Sequence, residues 1–179
     1  MTRDELEHAI RAACDVANDR EVYVLGSQAI LGQFPDAPAS LRQSVEADVA
    51  PATRPDQVDR IDGTLGELSQ FHEAHGFYVH GVPLETASLP GGWKKRVVKV
   101  QNENTLGCIG WCLEAHDLAA SKLAAFRERD REFVRTMLAE ELIDGQNLIR
   151  RVGRLPVADS LRRRLTAWVR RTVQELRAE

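Results

Sequence analysis

The chain is poor in lysine and cysteine and has no long apolar run, and each shortage narrows what it can be. Four of its 24 basic side chains are lysine, so arginine carries nearly all the positive charge. No apolar stretch approaches the ~20 residues that a helix needs to cross a bilayer, which excludes a helical membrane anchor within this sequence. Cys14, Cys108 and Cys112 are odd in number and lie far from any zinc-like quartet, so they read as core or incidental thiols. The first seven residues, Met1-Thr-Arg-Asp-Glu-Leu-Glu7, are acidic and lack the basic-then-apolar order of a signal peptide. No repeat or low-complexity segment is present. The expectation is a cytoplasmic protein with no membrane role.

What is there is globular. With 179 residues, 43% hydrophobic and 28% charged, the chain suffices for one domain, or for one domain with a small appendage. Its net charge of −3 hides an asymmetry. Residues 145–179 hold nine arginines (150, 151, 154, 162, 163, 164, 170, 171 and 177) against Asp159, Glu175 and Glu179. A basic tail of this kind suits a phosphate-rich partner, or it is the solvated face of an amphipathic helix.

Helical spacing places helices at 3–18, 55–75, 115–140, 144–151 and 157–177, with a short one from about 27. Thr2 and Glu5 form a capping box for the first. Val58, Ile61, Leu65, Leu68 and Phe71 mark the apolar stripe of the 55–75 helix, which Gly76 closes. Strands are expected at 21–25, 44–50, 77–82, 96–101 and 106–113, the last two as a hairpin. This mixture predicts an α+β fold with a small mixed sheet flanked by helices and a C-terminal helical portion.

The chemistry concentrates at Glu46 and Asp48. Two apart in a strand, they project from the same face. Like charges held that close call for a neutralising partner, and a divalent cation is the usual one. Upstream, Gly26-Ser27 turns out of an apolar strand into a helix, where free N–H groups favour anions. A strand-to-helix turn with a serine cap explains the same dipeptide without any ligand. Far downstream, Ala119, Lys122, Phe126, Asp130, Phe133 and Met137 share one face of the 115–140 helix, where Lys122 and Asp130 are the polar exceptions. Two turns apart on one helix, they are too distant for a direct pair. His72 and His75, with the isolated His80 and His116, lack metal-ligand spacing and read as surface or structural residues.

Gly26-Ser27 followed by an acidic-x-Asp pair resembles the signature of the polymerase-beta-like nucleotidyltransferase superfamily. Arg42-x-Ser44-x-Glu46-x-Asp48 is similar to the Arg-x-Thr-x-Asp-x-Asp form of its AbiEii/MenT-like toxin branch. The stretch from His116 through Lys122 to Asp130 resembles the helix on which that family carries a lysine and, further on, an Arg-x-x-Asp. This sequence departs from the pattern in a longer Gly-Ser-to-carboxylate interval and in having Glu rather than Asp first. A third carboxylate on a later strand has no clear counterpart; Glu85 and Glu103 are the candidates.

The resemblance implies a nucleotidyltransferase core at 1–143, with a basic helical extension at 144–179 packed on it. Mg²⁺ or Mn²⁺ would be held by Glu46 and Asp48, and an NTP substrate by Gly26, Ser27, Arg42, Ser44 and Lys122. Asp48, Lys122 and Asp130 would be catalytic. It further implies NMP transfer to an RNA hydroxyl, at the 3′ end of tRNA, by the toxin of a toxin–antitoxin pair, with a cognate antitoxin protein as partner. Transfer to a protein or small-molecule hydroxyl, and a non-catalytic binding module on the same fold, are the alternatives.

Overall fold

Thr2 starts the first helix as expected. Its hydroxyl accepts the Glu5 N–H while the Glu5 carboxylate accepts the Thr2 N–H at 2.6 Å, and α1 runs from Arg3–Ala17. Its apolar stripe, Leu6, Ala9, Ile10 and Ala13, is fully buried. The computed structural model describes residues 1–178 and divides them into two compact units. The first comprises Met1–Ala87 and Arg96–Glu114; the second comprises Ser88–Lys95 and the chain from Ala115 onward. The 143/144 boundary expected from the sequence lies within the second unit, between two of its helices.

The first unit is α+β. Its strands are β1 (Glu21–Val24), β2 (Glu46–Pro51), β3 (Tyr78–Gly81), β4 (Val98–Val100) and β5 (Ile109–Cys112), in the order β3-β2-β1-β5-β4. β2 with β3 and β1 with β5 are parallel; β1 with β2 and β4 with β5 are antiparallel. The expected hairpin at 96–113 is therefore present. α1 packs on the sheet and on α3 (Val58–Leu65), and the short α2 (Ile30–Gln33) follows β1. Buried Glu7 of α1 holds the β4–β5 connection in place: it accepts from Asn102 and Asn104, each at 2.8 Å, and pairs with Arg3 at 2.7 Å. Burial opposes ionisation of Glu7, but these donors outweigh it and hold its carboxyl below the usual range.

The single helix expected at 55–75 is two. α3 ends at Leu65 and α4 (Gln70–His75) starts afresh, with Ser69 accepting the His72 N–H at 3.1 Å. Leu68, assigned to the buried stripe by its spacing, is 91% exposed with φ 65°. Gly66 and the capping serine override the period here, because each offers the backbone a cheaper ending than another helical turn.

The second unit is helical: α5 (Ala115–Ala125), α6 (Glu128–Ala139), α7 (Gly145–Val152) and α8 (Asp159–Ala178). Leu118, Leu123, Met137, Leu148, Leu155, Leu165 and Val169 form its buried centre. The unbroken 115–140 helix expected from the sequence is interrupted at Phe126, which takes a left-handed φ of 52°. That conformation costs a non-glycine residue of order 1 kcal/mol or more. The Phe126 ring offsets it, lying 5.0 Å from the Arg131 guanidinium and 4.5 Å from that of Arg164, with Trp168 edge-on at 6.3 Å. Not all the arginine of this unit is free for a partner: Arg151 is bound to fully buried Asp117 at 2.9 Å.

Candidate active site

The site is built where β1 and β2 run side by side. The Leu25 N–H donates to the Asp48 carbonyl at 2.9 Å, which draws the end of β1 against β2. The next residue, Gly26, has φ +49°, and a Cβ placed on it would stand 1.8 Å from Asp48 Oδ2. Only glycine permits this approach of backbone to carboxylate. Ser27 then opens the tight turn Ser27–Ala29 that leads into α2.

Along β2, Glu46 and Asp48 are half-buried while Ala47 and Val49 are fully buried. The two carboxylates therefore share the face away from the core, as period-2 reasoning requires. The parallel neighbour β3 sets His80 directly opposite Asp48 and Tyr78 opposite Glu46. His80 Nδ1 lies 3.0 Å from Glu46 Oε1 and 3.3 Å from Asp48 Oδ1. On the other side of the ring, Nε2 is 3.9 Å from Asp62 Oδ1. Asp62 reaches this position because α3 rides close on β3: a Cβ on Gly81 would be 2.2 Å from the Val58 carbonyl oxygen. Burial, and then the neighbouring carboxylates with Glu46 foremost, push the Tyr78 hydroxyl above its ordinary pKa.

One donor atom each from Glu46, Asp48 and His80 comes within 4.8 Å of the others. Their side chains are 35%, 29% and 45% exposed, so the group is open to solvent on one side. Two carboxylate oxygens and an imidazole nitrogen, converging and accessible, fit a divalent cation. Glu85, in the turn Leu84–Thr86, and Glu103, in the β4–β5 connection, are exposed, and neither belongs to this group.

Arg42 and Ser44 precede β2, which starts at Glu46 rather than at 44. The Ser44 hydroxyl accepts the Glu46 N–H at 3.1 Å, so it is engaged with the backbone that opens the strand. Arg42 closes the turn Ala39–Leu41 through its N–H and is half-buried.

Lys122 and Asp130 meet within the second unit. Expected to be two turns apart on one helix, they are an ion pair, Nζ to Oδ1 3.4 Å, with exposures of 18% and 7%. The break at Phe126 is the reason: it ends one helix just after Lys122 and starts another just before Asp130. A lysine in a last helical turn and an aspartate in a first turn also suit both helix dipoles. Lys122 Nζ lies 5.3 Å from the centre of the Phe133 ring.

His80 is the member that spacing along the sequence did not reveal. It stands 32 residues from Asp48 and becomes its neighbour only through parallel strand pairing, whose register no local pattern encodes. One signal was available: Tyr78 and His80 in a short strand-like run repeat the two-residue step of Glu46 and Asp48.

Among the described residues, no helix is long and apolar enough to cross a membrane. A family profile described as "Nucleotidyltransferase of unknown function (DUF6036)" matches residues 4–168. No curated protein and no solved structure matches the chain.

Proposed function

The chain belongs to this nucleotidyltransferase family, and on that premise we propose that it transfers a nucleoside monophosphate from an NTP to an RNA hydroxyl. The observation that carries the reading is the close fit of Gly26 against the carboxylate of Asp48, with Glu46 on the same face. It sets a half-buried backbone turn, able to receive phosphate oxygens at Gly26 and Ser27, beside a pair of carboxylates suited to a divalent cation.

In the reaction, the acceptor oxygen forms a bond to the α-phosphorus as the bond from that phosphorus to the β-phosphate oxygen breaks. Pyrophosphate leaves, and the hydroxyl proton passes to a carboxylate or to water. Glu46 and Asp48 would hold a divalent cation, Mg²⁺ or Mn²⁺, which when bound would supply positive charge to offset that of the phosphates. Backbone N–H groups at Gly26 and Ser27 would bind the departing phosphates, and the missing Cβ of residue 26 leaves room for the Asp48 carboxylate beside them. Lys122 and Asp130, the cation and orienting carboxylate that the resemblance implies, pair with each other in the second unit. Arg42 adds charge toward the triphosphate. Ser44 contributes through the backbone of Glu46, which its hydroxyl fixes at the start of β2.

For the acceptor, we favour the 3′ end of tRNA. The exposed arginines of α8 and its approach (Arg154, Arg163, Arg164, Arg170, Arg171 and Arg177) suit a polyphosphate backbone. The role that follows is the toxin of a toxin–antitoxin pair, restrained in the cytoplasm by a cognate antitoxin protein. The test is label transfer from each α-labelled NTP to total tRNA, resolved on a denaturing gel beside Asp48→Ala. A labelled RNA band that needs Asp48 is expected. Label on a protein band moves the acceptor to protein, and no label with any nucleotide or acceptor overturns the transferase reading in favour of a binding module.

A further inference from the structure

The donor set at Glu46, Asp48 and His80 differs in kind from a pair of carboxylates. We infer that His80 is a metal ligand, that Asp62 supports it from behind, and that the site therefore prefers a first-row transition cation such as Mn²⁺ over Mg²⁺. This rests on the reading above only in taking Glu46 and Asp48 as ligands; it does not depend on the acceptor or on transfer.

Three observations carry it. Strand register places His80 opposite Asp48, and its Nδ1 faces both carboxylates at 3.0 and 3.3 Å. That nitrogen thus points to the place where a cation bridging Glu46 and Asp48 would sit. The second nitrogen, Nε2, is turned toward Asp62 Oδ1 at 3.9 Å, within reach of a hydrogen bond after a small rotamer shift. A carboxylate behind the distal nitrogen is what fixes the tautomer and orientation of a ligating imidazole. Finally, α3 is held on β3 by the contact at Gly81, so Asp62 is set in place by backbone packing as well as by its own rotamer.

The consequence for the ion follows from ligand chemistry. Mg²⁺ is small and hard, keeps its water and takes oxygen donors. An imidazole nitrogen gains little from Mg²⁺ but binds well to transition cations, in the order that rises from Mn²⁺ toward Cu²⁺. Two carboxylate oxygens with one nitrogen leave positions open for phosphate oxygens, as a substrate-binding cation requires. The closed Lys122–Asp130 pair has no such capacity, since its carboxylate is already neutralised.

The experiment is Mn²⁺ binding to the intact protein without nucleotide, followed by electron paramagnetic resonance and competed with Mg²⁺. Pulsed spectra of the bound ion are expected to show coupling to one imidazole nitrogen, lost in His80→Asp. His80→Asp is also expected to lower the preference for Mn²⁺ over Mg²⁺ by about tenfold or more, because it replaces nitrogen by oxygen. Asp62→Asn, at a half-exposed position, should weaken Mn²⁺ binding by about tenfold with the nitrogen coupling retained. Bound Mn²⁺ without nitrogen coupling, or an unchanged metal preference in a folded His80→Asp protein, overturns the inference. Either result leaves the transferase reading standing, and failure of label transfer with nitrogen-coupled Mn²⁺ present sinks that reading alone.

Discussion

Two clusters of ionisable side chains lie in this chain, one in each compact unit, and they are built on different terms. At Glu46, Asp48 and His80, two carboxylates face one imidazole, and 29% to 45% of each side chain is open to water. At Lys122 and Asp130, one cation meets one anion, and both are largely covered. The open group has donors to spare and loses little on folding, because water still screens it. The closed pair has none to spare and depends on its partner, since a lone charge at that burial is costly. Binding capacity therefore goes with the group whose charge is left unbalanced.

The contrast breaks most visibly under single substitutions. Lys122→Ala leaves the Asp130 carboxylate nearly buried without its cation, and we expect a loss of about 3 kcal/mol in denaturant unfolding. Lys122→Ala with Asp130→Ala should recover part of it. A loss in the double variant equal to the sum of the singles would show that the pair is not coupled. Asp48→Ala should do the reverse: transfer falls by on the order of 10²-fold or more, while stability stays within about 0.5 kcal/mol. A large stability loss there would mean that the open group is structural after all.

Gly26→Ala tests the contact on which the open group rests. It adds a Cβ at a left-handed position against Asp48 Oδ2, so we expect about 1–3 kcal/mol of destabilisation together with lost transfer. Full activity would show that the carboxylate can move aside and that the close fit is dispensable.

The smallest effect concerns acid. Glu7 belongs to a closed network like that of Lys122, and its folded pKa is lowered by Asn104, Arg3 and Asn102 despite burial. A lowered folded value means that the stabilisation is complete above the ordinary glutamate range. It drains as pH falls through the folded value. Glu7→Gln should accordingly flatten the acid limb of a stability–pH curve, and an unchanged limb would remove Glu7 from the account.

The sequence made some of this legible and hid the rest for identifiable reasons. The common face of Glu46 and Asp48 follows from the two-residue period, which is local. The glycine before Ser27 was legible as a turn, but its contact with Asp48 needs β1 and β2 paired. His80 was hidden because a residue on β3 meets β2 only through long-range register. The ion pair of Lys122 and Asp130 was hidden by a break that contains neither glycine nor proline. Aromatic and guanidinium contacts to Phe126 stabilise that break, and no periodicity registers them. The break at Gly66 was different: its stop and cap signals were present, and the apolar spacing of Leu68 outweighed them.

The sheet order also governs the timing of assembly. β1 sits between β2 and β5, yet Glu21 on β1 waits for Ile109 on β5, far along the chain. As the polypeptide leaves the ribosome, β1, β2 and β3 can pair early, bringing together every donor of the open group. One edge of β1 then stays bare until β5 emerges, and a bare edge invites pairing with another chain. Contacts of such long separation also close slowly. The donor group can thus exist in a half-finished sheet, and it is the completion of that sheet, rather than of the site, that sets the pace at which the newborn protein becomes safe from aggregation.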